Sequence, residues 1–492
     1  MNETTHFDVA IVGGGLHGVS MASEAASRGL KVVLIQGSDL ASGPTGSFRS
    51  IMRGGLRKIE SLQLTEANSN IREVANLKRN APHLLQLTHF KVLADESIRS
   101  NTKLRMALFV YRKMQQRQME KAESANALPH KSDAFHYCDY QLKTSRLVIS
   151  LALQAKNYGA LILPQHRIEQ AEREPNQWSL HVLRNSDKEQ IKISAKVLIN
   201  CCGWLANQFL QDVLKVNTRC RADVIHYAHA VVKKPAPFSG GYLLQQENKH
   251  FLYAHSLDDA RFVLGPLVAK TKVADKEAQT QALNAAVDCW NKYQKDKPIT
   301  IQDVLHCSWT ARARIEDPLS NDKSVYRDSL VDLNNPGGVA PLLNVFGVNI
   351  AQHRVLSEQG LEILKPFTQA GINPQHSQQA LPGGNLPVDI QQYIDQELTR
   401  ISPDLHGIAK HLIENYGDLY TQILQDSKSP NDLGQHFGHG LYAAEVNYLL
   451  KNEWASCADD ILWRRTTYGL DFSEAEKVTL DQWILESTRK PC

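Results

Sequence analysis

The sequence contains no apolar run close to the roughly 18–20 residues that a membrane-spanning helix needs. Net charge is also low, because 55 Lys and Arg stand against 52 Asp and Glu, and a balance of +3 argues against a nucleic-acid-binding protein. Cysteine is sparse, with 8 in 492 residues and no Cys-x-x-Cys pair, so neither a disulfide scaffold nor a zinc site is expected. The first residues lack the basic segment of a secretory signal and lead into a predicted strand, which favours a cytoplasmic protein.

The strongest motif lies in the first 35 residues. An apolar strand at 9–12 is followed at once by Gly13-Gly14-Gly15-Leu16-His17-Gly18, then by a helical stretch and a second apolar strand at 31–35. This is the G-x-G-x-x-G fingerprint in the βαβ context that dinucleotide sites require. Gly13 permits the tight turn, Gly15 lets a pyrophosphate approach the backbone, and Gly18 lets helix and strand pack closely. The helix N-terminus then offers unpaired N–H groups to the phosphates, whereas the alternative is a glycine-rich turn without a ligand.

One position departs from the usual fingerprint. The acidic residue that ends the second strand and binds the adenosine ribose is here Gln36. A glutamine still hydrogen-bonds to a ribose hydroxyl, but the contact is weaker because it is no longer charge-assisted. We therefore expect a tolerated substitution and not a loss of dinucleotide binding.

The rest of the chain alternates between helical and strand patterns. Helices are predicted at about 63–80, 98–121, 146–157 and 350–364, and strands at 159–163, 166–171, 178–184, 190–200 and 342–349. Residues 222–270 alternate apolar and polar positions as a mainly antiparallel sheet does, 374–387 predict a linker, and 388–492 have a helical pattern throughout. Dinucleotide-type segments thus occur near the beginning, in the middle and near 340–364, an interleaving more typical of flavoproteins than of nicotinamide enzymes.

Several further stretches match the sequence motifs of one family. They are Gly54-Gly55-Leu56-Arg57, Ser145-Arg146-Leu147-Val148, Phe346-Gly347, Leu381-Pro382-Gly383-Gly384, and the C-terminal run from Phe437-Gly438-His439 through Glu453-Trp454 to residues 458–466. With them the chain resembles the FAD-dependent, respiratory glycerol-3-phosphate dehydrogenases over essentially its whole length. The resemblance implies an α/β plus α fold: a Rossmann-like FAD-binding domain of the glutathione-reductase/D-amino-acid-oxidase type, an interleaved antiparallel-sheet substrate domain and a C-terminal helical domain. The expected ranges are 1–90, 146–218 and 340–370 for FAD binding, 91–145 and 219–339 for the substrate domain, and 388–492 for the helical domain.

The resemblance also implies the reaction and the cofactor. FAD would oxidise a secondary alcohol, by default sn-glycerol 3-phosphate to dihydroxyacetone phosphate, and electrons would pass to quinone. Peripheral attachment to the cytoplasmic face of the inner membrane is implied, a homodimer is allowed, and neither a nucleic-acid partner nor a metal is expected. A helix beginning near Ile350 would point its N–H groups at the flavin edge that becomes negative on reduction. The implied FAD contacts are Gly13, Gly14, Gly15, Gly18, Gln36 (ribose), Ser47, Ile168 (adenine), Gly203, Gly347, Asn349 and Ile350.

The implied substrate site keeps some family residues and changes others. Arg57, Arg312 and His229 match family residues and are the expected catalytic set, with Arg314 competing with Arg312 for the phosphate end. The family's flavin-side lysine is here Asn349, and a charged hydrogen bond contributes roughly 1.5–3 kcal/mol, so phosphate binding should weaken unless another cation replaces it. The other changes are His226-Tyr227-Ala228-His229 for Lys-Gly-Ser-His, Gly265-Pro266-Leu267-Val268 for Gly-Thr-Thr-Asp, and Lys58 for a tyrosine. The expected substrate-binding residues are Lys58, Asn349, His226, His255 and Arg314.

These changes leave three hypotheses open. The first is the glycerol-3-phosphate reaction. The second is an FAD enzyme of the same fold acting on another hydroxy or amino substrate. The third is a flavin-binding or scaffold protein without turnover.

Two patterns have two interpretations each. His226, His229 and His255 lie on predicted strands without a cysteine or carboxylate at ligand spacing, so pocket or core histidines are favoured over metal ligands. The basic helix at 98–121 carries Leu104, Leu108 and Tyr111 on one side. That side is placed either on an anionic membrane surface or against the protein itself, and the sequence leaves both open.

Overall fold

Two large sheets and a helical C-terminal region build the molecule. The computed structural model describes residues 5–46, 49–52, 55–121, 135–217, 222–248, 250–269, 275–316, 326–327, 329–347, 349–369, 371, 376–387 and 389–489. The strands are β1 Thr5–Val12, β2 Val32–Ile35, β3 Ser50–Met52, β4 Leu85–Leu93, β5 His136–Leu142, β6 Leu161–Leu163, β7 His166–Arg173, β8 Trp178–Arg184, β9 Gln190–Asn200, β10 Ala222–Lys233, β11 Gly241–Gln245, β12 Phe251–Ser256, β13 Arg261–Val268, β14 Val304–Glu316, β15 Tyr326–Arg327, β16 Ser329–Asn334, β17 Leu342–Gly347, β18 His436–Gly438 and β19 Leu441–Tyr442. The α-helices are α1 Leu16–Ser27, α2 Leu56–Glu60, α3 Leu64–Asn80, α4 Asn101–Lys121, α5 Thr144–Asn157, α6 Ala206–Gln208, α7 Lys276–Tyr293, α8 His353–Leu364, α9 Ile390–Leu398, α10 His406–Tyr416, α11 Tyr420–Leu424, α12 Ala443–Asn452 and α13 Glu474–Arg489.

The first sheet is the dinucleotide-type sheet. Its central strands are parallel and run in the order β17-β9-β1-β2-β6, with β16 antiparallel at one edge. Strand β8 pairs antiparallel with β9, and β7 pairs antiparallel with β8. Every residue of β2 is buried, as expected for a parallel strand covered on both faces. Helices α1, α5 and α8 pack together beside it, because α1 and α5 present small and aliphatic side chains on all sides. The carboxyl ends of β1, β9 and β17 therefore meet at one edge, where ligands of such sheets bind.

The second sheet is antiparallel apart from one pair. Its order is β15-β14-β10-β13-β12-β11-β4-β5-β3, and only β11 and β4 are recorded as parallel neighbours among its described strands. One face is covered by α7, whose Ala286, Val287 and Trp290 join the apolar side chains of the sheet in a single cluster. The opposite face carries the side chains of His229 and Ser308.

The sheets do not follow the expected domain ranges everywhere. β3 and the beginning of β4 lie within 1–90 but pair in the second sheet, and β16 lies within 219–339 but pairs in the first. Short strands such as β3 carry too little periodicity to reveal a partner almost 90 residues away.

The C-terminal region forms a helical domain with its own apolar cluster. Unlike the predicted all-helical pattern, it contains a two-stranded hairpin of β18 and β19. The predicted linker is also packed in its described part: the Leu381 N–H donates to the Asn80 carbonyl at 2.9 Å, and a Cβ at Gly417 would lie 1.7 Å from the Gly383 carbonyl oxygen. This segment therefore joins the domains tightly.

The basic helix predicted at 98–121 is α4. Leu104, Leu108 and Tyr111 are fully buried, and they pack against α2, α3 and the second sheet. The side proposed for a membrane thus lies inside the protein. In the described part of the chain, no helix combines the length and apolar character needed to cross a bilayer.

Candidate active site

The glycine turn after β1 is built for close approach. Gly13 has φ +114°, and a Cβ on it would lie 2.3 Å from the Cys201 carbonyl oxygen. A Cβ on Gly18 would lie 1.7 Å from the Gly13 oxygen, so α1 packs on the turn only without a side chain there. At Gly15, which precedes α1, the nearest atom is Thr45 Oγ1 at 3.7 Å from the Cβ position. The turn at Gly13 and the packing at Gly18 thus have a direct steric basis, whereas the pyrophosphate contact of Gly15 remains a prediction.

Gln36 lies over this turn. Its Oε1 accepts a hydrogen bond from the Gly14 N–H at 2.7 Å, and its Nε2 donates to Ser38 Oγ at 2.7 Å and Ser42 Oγ at 3.2 Å. A glutamate would accept the same backbone bond, so the substitution preserves the loop. The expected ribose contact remains a prediction.

The other residues expected at FAD lie around the same edge. No described atom lies within 4 Å of the Cβ position of Gly203, which leaves open space beside the turn, and Ile168 lies in β7 with a buried side chain. Gly347 ends β17, and Ile350 begins a 3₁₀ turn that leads into α8, as predicted. Ser47 lies outside the described residues.

Polar atoms without partners mark the place for a ligand. Thr45 Oγ1 and His17 Nε2 are buried and have no hydrogen-bond partner within the described ranges. The His17 ring lies against Gly347, where a Cβ would come within 2.3 Å of Nε2. The helix α1 has neither a side-chain cap nor an acidic residue in its first turn. An open glycine turn and an uncapped helix N-terminus fit the pyrophosphate of FAD, and the two unpartnered polar atoms are available for hydrogen bonds to a ligand.

His17 and His353 form a buried pair that the sequence did not single out. His353 Nδ1 lies 3.0 Å from Ser20 Oγ. Burial lowers the pKa of His17 to about 4 and that of His353 to about 3. Both rings are therefore neutral near pH 7, and each has polar nitrogens to offer without adding charge.

A row of three side chains lies on the open face of the second sheet. In β10 and β14, His229 opposes Ser308, Tyr227 opposes Thr310 and Ile225 opposes Arg312, so these side chains share one face. The Arg312 guanidinium lies 5.3 Å from the centre of the Tyr227 ring, and the Tyr227 and His229 rings are 5.8 Å apart. Arg312 and His229, predicted as catalytic, are thus brought together with Tyr227 between them. Tyr227 was noted only as a substitution, although its i, i+2 spacing from His229 on a strand indicates the shared face.

This face borders a cavity of about 290 Å³ next to the dinucleotide loop. The cavity is lined on one side by Ala41, Ser42, Gly43 and Gly46, and on another by His229, Ser308 and Thr310. Trp463 and Arg464 of the C-terminal domain close it, with the Trp463 ring stacked 4.5 Å from that of His306. The cavity therefore has walls from all three parts of the molecule.

Three predicted substrate residues are placed differently. Alternation along β10 puts His226 on the opposite face from His229, because adjacent residues in a strand point to opposite faces. Arg314 pairs with Asp223 at 3.3 Å, so its charge is engaged at least in part by a protein carboxylate. Lys58 Nζ pairs with Glu66 at 2.6 Å across the α2–α3 turn, a contact that no local pattern indicated.

Asn349 also has an internal role. Its Oδ1 accepts from the Ala351 N–H at 3.1 Å and caps the 3₁₀ turn, while its Nδ2 donates to Asn70 Oδ1 at 3.3 Å. The carboxamide therefore shapes the turn that precedes α8. A direct substrate contact from Asn349 remains a prediction.

His255 lies on the same sheet face as His229, and its substrate contact remains a prediction. It lies two strands from His229 on the same face, is 2% exposed, and its Nδ1 has no hydrogen-bond partner among the residues described. Burial, with the charges of His229 and Arg49 adding to it, lowers the pKa of His255 to about 3, so the ring is neutral. Arg57 lies on α2, but its side chain is outside the described residues.

Comparison with known proteins agrees with this architecture. A family model described as FAD dependent oxidoreductase matches residues 8–329, and one described as the C-terminal domain of alpha-glycerophosphate oxidase matches 377–482. The two-sheet core with its glycine turn is thus that of an FAD-dependent oxidoreductase, and FAD is its cofactor.

Individual similar proteins indicate the kind of FAD-dependent oxidoreductase that this chain resembles. A glycerol-3-phosphate dehydrogenase of Pseudomonas aeruginosa is 32% identical, over 97% of this chain and 95% of the relative. A D-erythritol 1-phosphate dehydrogenase of Brucella abortus is 30% identical, over 98% and 99%. The structure of a Bacillus halodurans glycerol-3-phosphate dehydrogenase complexed with FAD matches with a TM-score of 0.71 at 16% identity, over 99% and 95%. The chain belongs to the FAD-dependent glycerol-3-phosphate dehydrogenase family, which confirms the predicted fold class, cofactor and reaction type.

Proposed function

We propose that the chain oxidises the secondary alcohol of a polyol phosphate, with sn-glycerol 3-phosphate as the default substrate and dihydroxyacetone phosphate as the product. The row of Arg312, Tyr227 and His229 facing the dinucleotide loop carries the proposal. FAD, when bound, supplies the oxidant that accepts the hydride.

The protein side chains have distinct tasks in this reaction. The Arg312 guanidinium binds the phosphate, because its fork of donors matches an anionic oxygen pair. The His229 imidazole accepts the hydroxyl proton, and neutral His255 hydrogen-bonds to a substrate hydroxyl without adding charge. Trp463 and the 41–46 loop limit the access of water to the cavity between them. Arg57 is assigned to the same anionic end.

A four-carbon polyol phosphate is a second candidate. Tyr227 stands between the arginine and the histidine, with one spacing of 5.3 Å and one of 5.8 Å along the row. A longer polyol spans this separation more easily than a three-carbon one. The relative from Brucella abortus, named D-erythritol 1-phosphate dehydrogenase, adds support.

Anaerobic flavin reduction tests both candidates. Purified holoenzyme is mixed with glycerol 3-phosphate, erythritol phosphates, glycerol and amino acids, and flavin bleaching is followed. We expect bleaching by a polyol phosphate and none by unphosphorylated glycerol, and Arg312→Met should remove the preference for the phosphate. Equal bleaching by glycerol, or bleaching by amino acids alone, would overturn the proposal. An Arg314→Met variant is the matched control, since Arg314 already pairs with Asp223.

We also propose that electrons pass to quinone at the cytoplasmic face of the inner membrane, where α4 makes a peripheral contact. The outer side of this helix differs from its buried side: Met106 is 63% and Phe109 53% exposed, and exposed Lys103 and Lys113 flank them. Apolar side chains between basic ones suit an anionic lipid surface. Leu62, which is 83% exposed, lies in the adjacent turn between α2 and α3.

Vesicle sedimentation tests the membrane contact. We expect binding to phosphatidylglycerol vesicles, weaker binding to phosphatidylcholine, and loss of binding in Met106→Ser/Phe109→Ser. Val478→Ser, which changes a 52% exposed residue on α13, is the control and should bind normally. Equal binding of both variants would contradict the assignment to α4. Light scattering of the protein without vesicles tests whether it is a homodimer. Quinone reduction on vesicles tests the electron acceptor.

A further inference from the structure

The loop that follows β2 is wrapped around the glycine turn. Besides the Gln36 bond, the Ala41 N–H donates to the Gly14 carbonyl at 3.1 Å, and Leu40 Cδ2 lies 2.7 Å from the position of a Gly14 Cβ. Ala41 has φ 58°, a left-handed conformation that is unfavourable for a residue with a side chain. Such a conformation persists only when the surroundings hold it.

The C-terminal domain holds the other side of this loop. Arg465 donates from Nη1 to Asp39 Oδ2 at 2.7 Å and from Nη2 to Oδ1 at 2.8 Å, and Arg464 Nε donates to Oδ2 at 2.5 Å. Asp39 is 3% and Arg465 1% exposed, so this is a buried, charge-assisted contact between residues 426 apart in the chain. Arg465 also donates to the Glu453 carbonyl at 2.6 Å, which fixes the guanidinium from behind.

The two arginines are presented by an uncommon helical turn. They end the π-helical segment Asp460–Arg465, and Arg464 also pairs with Asp460. π-Helical turns are rare and frequently lie at functional sites. The same segment contributes Trp463 and Arg464 to the wall of the cavity.

We propose that the C-terminal domain contributes to FAD binding. Arg464 and Arg465, acting through Asp39, hold the 36–41 loop in the conformation that retains FAD. Asp39 is a positioning residue in this scheme. The inference rests on FAD as the cofactor and is independent of the substrate. Because coupling between two sites is reciprocal, bound FAD must in turn order the arginine segment.

Cofactor affinity gives the first test. Apoprotein is titrated with FAD, and binding is followed by the quenching of flavin fluorescence. We expect Asp39→Asn and Arg464→Gln to weaken FAD binding about tenfold, a typical coupling strength. The control is Asp471→Asn, which breaks the 2.8 Å pair between Arg261 of the second sheet and the C-terminal domain. An affinity like that of the unaltered chain in both test variants, or an equal loss in the control, would overturn the proposal.

Hydrogen exchange gives a second test that needs no variant to fold. Adding FAD to the unaltered apoprotein should slow amide exchange in residues 460–466, which do not belong to the glycine turn. A folded Asp39→Asn protein should show this protection only weakly. If FAD leaves exchange at 460–466 unchanged in the unaltered chain, the coupling does not exist.

Discussion

Replacing Asn349 with lysine changes two contacts whose contributions can be separated. The substitution removes the acceptor that caps the 3₁₀ turn and the donor that reaches Asn70. A helix N-cap contributes about 0.5–2 kcal/mol and a neutral hydrogen bond about 0.5–1.5 kcal/mol. We therefore expect Asn349→Lys to lower the free energy of unfolding by about 2 kcal/mol.

The new ammonium group also supplies a cation at the flavin edge. A charged hydrogen bond to phosphate is worth roughly 1.5–3 kcal/mol, which corresponds to about a 10- to 150-fold lower KM for glycerol 3-phosphate. Stability and substrate affinity should thus move in opposite directions. Thermal unfolding measures the first, and steady-state kinetics with a dye acceptor measures the second.

Asn349→Ala is the matched control because it loses the same two contacts without adding a charge. It should be destabilised like the lysine variant, with an unchanged KM. If the lysine variant binds glycerol 3-phosphate no better than the alanine variant, the substrate phosphate does not approach this turn, and the reasoning from the lost family lysine is refuted. If the alanine variant itself has a raised KM, Asn349 contacts the substrate directly.

Three more predictions follow from the same geometry. His17 and His353 are neutral in the fold but titrate near their ordinary value of 6.5 when unfolded, so their contribution is complete above pH 6.5 and is lost as the pH falls toward 4. Each histidine should lower the free energy of unfolding by about 1.4 kcal/mol at pH 5.5 relative to neutral pH. Urea midpoints that are equal at pH 7.5 and 5.5 would contradict this. Gly18→Ala places a Cβ 1.7 Å from a backbone oxygen and should yield protein without flavin absorbance, whereas Gly43→Ala, with no described atom within 4 Å, should stay yellow. Tyr227→Leu should raise the KM for a phosphorylated substrate with a smaller effect on kcat, because the ring orients the neighbouring guanidinium; an effect on kcat alone would argue against that role.

Much of the fold could be predicted because its signals are local. The βαβ unit of β1, α1 and β2 combines an apolar strand, a glycine turn and a small-residue helix within 35 residues, and the structure has these elements in place. Strand pairing between distant segments has no such local signal. The parallel contact of β11 with β4 joins residues about 150 positions apart, and neither strand differs in pattern from its antiparallel neighbours.

The features of the site likewise fall into those that a local sequence pattern predicts and those that depend on contacts between distant segments. That His229 and Tyr227 share a face, and that His226 does not, follows from the period of a strand and needed no coordinates. The pairing of Lys58 with Glu66 depends on how α2 and α3 meet, and the link from Asp39 to Arg465 spans most of the chain. The match to the family's motif singled out residues 458–466 but predicted none of their contacts.

The placement of charge indicates where a substrate phosphate is expected to bind. Several polar groups near the expected substrate are committed to protein partners: Lys58 to Glu66, Arg314 to Asp223, and Asn349 to its own turn. Arg312 shares a sheet face with His229, which lines the cavity, and its guanidinium lies 5.3 Å from the centre of the Tyr227 ring. An aromatic ring supports a cation without neutralising it, so the Tyr227 ring helps to hold the guanidinium in position. The phosphate of the substrate is therefore expected to bind to the sheet, and a tyrosine where the family has glycine becomes part of the anion site.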